Sequence, residues 1–113
     1  MQEKMDIYIA NVPFDDSNKS KIRPALVVSV DNKYVYVFKI TSKYKNKSKN
    51  IKKVYYPIMD WYKAGLKKQS FVDTHITYGI TKEIIFQHNP IGKLSKNDTV
   101  NLFEFISKNK LNK

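Results

Sequence analysis

Arg23-Pro24-Ala25-Leu26-Val27-Val28-Ser29-Val30, Asp31-Asn32-Lys33 and Tyr34-Val35-Tyr36-Val37-Phe38-Lys39-Ile40-Thr41 together form the stretch that decides the fold. Its first part is a mostly apolar run, with Pro24 near the start, where a strand tolerates proline. Asp31-Asn32 is a turn signal, and the aromatic and β-branched run from Tyr34 to Thr41 reads as the return strand of a β-hairpin. Antiparallel pairing lays the first residue of one strand beside the last of the next, so this hairpin brings Arg23 next to Thr41.

Outward from the hairpin, strand signals continue. Residues 6–14 alternate apolar and polar side chains, and Pro13 marks the end of that run. Residues 15–20 read as a polar loop. Residues 54–56 form a short strand, and residues 59–64 a short internal helical turn closed by Gly65. Residues 70–75 read as another strand, and residues 76–86 as strand-like with a break at Gly79. Ser95-Lys96-Asn97-Asp98 resembles a capping box that opens a helix running to about Lys108. Val100, Phe103 and Ile106 lie on one side of that helix, widened by Leu102 and Phe105. The expected architecture is mainly β with α: a small sheet or barrel of short, strongly curved strands, one short internal helix and a C-terminal helix. Without repeat or linker, residues 1–113 read as a single domain.

Hydrophobic residues make up 42% of the 113-residue chain and aromatics 13%, enough for one core without covalent staples. The absence of cysteine excludes disulfides and thiolate metal sites. No apolar run approaches membrane-spanning length, and Met1-Gln2-Glu3-Lys4 does not open a signal peptide, so a cytoplasmic protein without a membrane partner is expected. No metal or cofactor is expected either. The formal net charge of +11 favours a polyanionic partner. Residues 42–53 carry six lysines and no acid, with Tyr44 among them and Tyr55-Tyr56 following. Lysines interleaved with aromatics suit a backbone-and-stacking grip on single-stranded nucleic acid, although a solvated loop has the same composition. Arg23 is the only arginine among 21 basic residues. Its guanidinium can hold a phosphate bidentately as an ammonium cannot, and it can equally pair with a carboxylate at the base of a strand.

Asp6-Ile7-Tyr8 with Pro13-Phe14, then Arg23-Pro24-Ala25-Leu26-Val27-Val28, then Ile40-Thr41-Ser42, resembles the MazF/PemK/Kid family of toxin ribonucleases. Asp60-Trp61 through Ala64-Gly65-Leu66, then Ser70-Phe71-Val72, and later Ile91-Gly92-Lys93-Leu94-Ser95, are similar to its PemK-like branch. The resemblance runs in order over nearly the whole chain. It implies an SH3-like barrel, a homodimer, and a toxin of a type II toxin–antitoxin system that cleaves single-stranded RNA without metal. It also implies a cognate acidic antitoxin whose flexible tail blocks the RNA groove. The family's active pair, the arginine of the Arg-Pro motif and a threonine ending the next hairpin strand, matches Arg23 and Thr41. Such a site needs only to orient the RNA's own 2′-hydroxyl, take a proton and stabilise charge on the phosphate oxygens. Arg23 supplies the last of these, Thr41 orients the phosphate or relays a proton, and the proton acceptor stays open.

Lys21, Ser42 and Lys43, beside that pair in sequence, are candidate substrate contacts. Asp73 and His75 join them at a departure from the family, whose members often carry an arginine and then an acid at these two places. Strand alternation sets both side chains on one face, where His75 suits acid–base work; the alternative is an ordinary exposed or hydrogen-bonded histidine. His88 reads as a loop residue, and Trp61 and Tyr62 as packing for the short helix. Two other functions stay open: a non-catalytic nucleic-acid-binding barrel, and a gyrase-poisoning toxin of the same fold. The latter acts through an exposed aromatic near the C-terminus, and residues 108–113 contain none.

Overall fold

In the computed structural model, which describes residues 4–13, 20–45 and 47–111, the hairpin forms as read. Strand β1 is Asp6–Pro13, β2 is Ser20–Val30 and β3 is Tyr34–Thr41. Then come α1 (Lys49–Lys52), β4 (Tyr55–Pro57), β5 (Phe71–Thr81), α2 (Lys82–Ile85), β6 (Gly92–Lys93) and α3 (Lys96–Leu111). Six antiparallel strands make one sheet in the order β4-β5-β3-β2-β1-β6. This is the mainly β, SH3-like class expected from the sequence. The loop read at residues 15–20 lies outside the described residues except for Ser20, which begins β2.

Strand parity sorts the apolar residues onto two faces. Ile7, Leu26, Phe38 and Ile40 pack with Tyr56, Ile58, Leu66, Leu94 and Leu102. Tyr8, Ala10, Val12, Ala25, Val27, Val35 and Val37 pack with Ile85 of α2. Two irregularities bend the sheet. The β2–β3 register shifts between Val27 and Ser29. Against β3, residue Val37 faces Tyr78 while Lys39 faces Asp73, so β5 holds extra residues at 74–77. Such bulges add twist and re-aim side chains.

Five local expectations are corrected. Gly79 does not break β5, which continues to Thr81 with Gly79 lying against the Tyr36 ring. The last residues of the 76–86 run form α2 instead. Residues 59–64 form consecutive turns rather than a regular helix, although Gly65, at φ 88°, does close them. A short helix appears in the lysine segment, where Ser48 caps α1 by accepting the Ile51 N–H. Finally, α3 is rolled from the expected face: Val100 and Phe103 are half exposed, whereas Leu102 is fully buried and Phe105 and Ile106 pack on the core. The cause is Asp98, itself fully buried and hydrogen-bonded to residues 56, 59 and 60, which fixes the rotation of the helix.

The 58–66 segment bridges the two ends of the sheet, from β4 to the backbone at β6. A Cβ on Gly92 would fall inside the Ala64 carbonyl, and one on Gly65 inside the Ile91 carbonyl. Backbone meets backbone there, so no flexible side chain can give way. Gly92→Ala is therefore expected to destabilise the protein by about 1–3 kcal/mol or more, the cost of overpacking. Thermal unfolding of the variant checks this, and an unchanged melting temperature would contradict it.

Candidate active site

Ala25 of β2 faces Lys39 of β3. Carrying that register two residues further sets Arg23 opposite Thr41, on the same face of the sheet. Both line one cavity of about 370 Å³. Arg23 faces Ala10 across β1, and Thr41 faces Phe71 across β5. The strands thus hold the two side chains from both sides, and the small Ala10 leaves room above the sheet. Thr41 Oγ1 accepts the Lys43 N–H at 3.1 Å, which turns the chain as it leaves β3.

Lys21, Ser42 and Lys43 line the same cavity, as read from the sequence, together with Lys39, Lys47 and Tyr55. Five cationic side chains converge on one concavity. A lining of this kind attracts an anion and repels a divalent cation. Among the described residues, no group of three His, Cys, Asp or Glu side chains is placed to hold a metal.

The structure separates Asp73 from His75. Asp73 is buried; its Oδ2 lies 3.6 Å from Lys39 Nζ, and its Oδ1 accepts the His75 N–H at 3.0 Å. That turn opens the bulge in β5, and the extra residues end the parity on which the shared face depended. His75 is exposed and lines a different cavity with Phe38, Thr74, Thr77, Ile106 and Asn109. Asp73 reaches the basic cavity only through Lys39. His88 is exposed, in the stretch between α2 and β6.

The aromatics near the lysine segment are used internally. Tyr44 stacks on Phe71 with centroids 4.3 Å apart and rings 12° from parallel. Tyr55 is buried beside them, and Tyr56 belongs to the core. Lys52 Nζ lies 4.8 Å from the Tyr44 ring centroid. The segment is therefore anchored to the sheet, and Lys43, Lys45 and Lys47 line two adjoining concavities. The second, of about 640 Å³, shares Ser42, Lys43 and Lys47 with the first.

Sequence reasoning missed Lys39. A signal for Lys39 was present: it continues the parity of Val35 and Val37, two fully buried residues, so a lysine there needed a partner or a cavity.

Fold and site together define a small, basic SH3-like protein with an anion-suited cavity at one end of its hairpin. Residues 3–108 match the family model described as PemK-like, MazF-like toxin of type II toxin–antitoxin system. The chain belongs to this family, and membership implies an antitoxin partner. Among solved structures, the Mycobacterium tuberculosis toxin MazF-mt6 is similar in fold, with a TM-score of 0.66 and 22% identity over 91% of this chain and 93% of that one. No curated protein sequence matches the chain. Among the described residues, no helix is long and apolar enough to cross a membrane.

Proposed function

We propose that this protein is an endoribonuclease that cuts single-stranded RNA without a metal ion, through attack of the RNA's 2′-hydroxyl on the adjacent phosphate. The observation that carries this reading is that Arg23 and Thr41 line one cavity together with four further cations. Arg23 offers a bidentate fork to the non-bridging phosphate oxygens as charge develops on them. The Thr41 hydroxyl orients the phosphate. Lys21, Lys43 and Lys47 hold the flanking phosphates, and Ser42 adds a hydroxyl at the rim. His75 has no part in this centre. Family membership supports a homodimer and an acidic antitoxin tail that competes for the same cations, since both ligands are polyanions.

The test is cleavage of a defined single-stranded RNA in the presence of chelator. The expected products carry a 2′,3′-cyclic phosphate and a 5′-hydroxyl, because the nucleophile comes from the RNA itself. A strict requirement for magnesium would contradict the mechanism. RNA binding without any cleavage would favour a non-catalytic nucleic-acid-binding barrel.

A further inference from the structure

We infer that Lys39 is a catalytic residue of this site, delivering a proton to the departing 5′-oxygen of the RNA, and that Asp73 is the positioning residue that holds it there. The inference rests on the ribonuclease reading above.

Lys39 is 6% exposed, and it lines the cavity that contains Arg23 and Thr41. It precedes Thr41 by two residues on one strand face, a spacing of about 7 Å. Asp73 is 3% exposed, and its two oxygens are divided: Oδ1 takes the His75 N–H, while Oδ2 lies 3.6 Å from the Lys39 ammonium. The Tyr78 ring, with its centroid 5.9 Å away, flanks the same ammonium. The lysine is thus held by a carboxylate that a backbone hydrogen bond has already oriented.

Stability alone does not account for this pair. A buried ion pair generally contributes no more than apolar residues of the same volume, because desolvation offsets the attraction. The neighbouring positions of that face, Val35 and Val37, are fully buried and apolar. An apolar residue at 39 would extend the core they form. A charge kept at this point, on the wall of a phosphate-sized cavity, fits a role toward the bound anion.

The chemistry gives that role. In the transesterification the O2′–P bond forms and the P–O5′ bond breaks, and the electron pair of the broken bond stays on O5′. The 2′-hydroxyl proton passes to solvent water. Lys39 Nζ gives a proton to O5′ and regains one from water, so the products require no net proton. The entering and leaving oxygens lie on opposite sides of the phosphorus. Lys39 stands two residues from Thr41 on the same strand face, about 7 Å of backbone, so side chains from both places can reach one phosphate group in the shared cavity.

The test replaces the leaving oxygen. An RNA with a single scissile linkage is prepared with oxygen or with sulfur at the 5′ bridging position, because a thiolate leaves without a proton. Single-turnover rates are measured in chelator. Lys39→Met is expected to be slower by about two to four decades on the oxygen substrate, the usual worth of a positioned acid, and close to the parent on the sulfur substrate. Asp73→Asn should move the same way by less, in kcat more than in KM, again with rescue by sulfur. Arg23→Ala should be slow on both. If Lys39→Met does not fold, the double variant Lys39→Met with Asp73→Leu removes both charges and keeps the volume, and the same substrate dependence is required of it. Equal slowing on both substrates, or the parent rate on oxygen, overturns the inference. A parent protein that cuts neither substrate removes the ribonuclease reading and this inference with it.

Discussion

Arg23→Ala should abolish RNA cleavage while leaving the fold intact. The side chain is half-buried at the rim of the sheet, opposite Thr41, and core packing is carried by Ala25, Leu26 and Val27 further along β2. Removal of one donor that stabilises developing charge typically costs about two to three decades in rate. An arginine supplying two donors to one phosphate should reach the upper end of that range. The sharper variant is Arg23→Lys, which keeps the charge and loses the planar fork. It is expected to lose most of the activity, even though the cavity holds four lysines already. Thr41→Ala should be severely impaired and Thr41→Ser largely active, because the proposed mechanism uses the hydroxyl and not the methyl. The measurement is single-turnover cleavage beside thermal melts of each variant. If Arg23→Lys cuts at the parent rate, the fork has no role and Arg23 is only one more positive charge.

The hairpin was legible because it is local. The β-rich runs, the Asp31-Asn32 turn and the antiparallel rule place Arg23 beside Thr41 with no knowledge of the rest of the chain. Asp31 in fact accepts the N–H groups of Lys33 and Tyr34, which nucleates the turn. What failed depended on contacts distant in sequence. Asp73 and His75 share parity, and a regular strand would align them. The bulge is set by Thr74, whose N–H and hydroxyl both reach the Val54 carbonyl, twenty residues away. Lys39 is similar: its meaning comes from Asp73 on a strand that follows a long excursion through the lysine segment. The stacking surface expected of Tyr44, Tyr55 and Tyr56 was also a local reading. Phe71 and Asp98 claim those rings from elsewhere in the fold.

Asp98 shows how far such a contact can override periodicity, and its removal should have the largest effect on stability. The apolar pattern of α3 favours a face through Val100 and Phe103, yet both are half exposed. Asp98 instead points into the core, fully buried, where its Oδ1 accepts the Tyr56 hydroxyl at 2.6 Å and the Met59 N–H at 2.9 Å. Its Oδ2 accepts the Asp60 N–H at 2.8 Å. Its own N–H donates to Ser95 Oγ, the cap of the helix, and the first turn of a helix favours the negative charge. One carboxylate therefore joins the start of α3, the end of β4 and the turn that closes the sheet. Asp98→Ala leaves one buried hydroxyl and two backbone N–H groups to find other partners, at roughly 1–3 kcal/mol for each that stays buried. The expected loss of about 3–5 kcal/mol is a large part of the 5–15 kcal/mol that holds a domain folded. Asp98→Asn should cost less, since its single carbonyl oxygen still accepts two of the three. Tyr56 adds a dependence on pH. Burial first, and then its hydrogen bond to Asp98, raise its phenol well above the ordinary value. The protonated phenol is favoured in the folded state, so its contribution is complete below the unfolded value of about 10 and falls as pH rises beyond it. Denaturant unfolding at neutral and alkaline pH reads both effects: the parent should weaken above about pH 10 more steeply than Tyr56→Phe. Equal slopes would mean that Tyr56 ionises in the fold as easily as in the unfolded chain, and an Asp98→Ala protein as stable as the parent would mean that α3 is held by its apolar side chains alone.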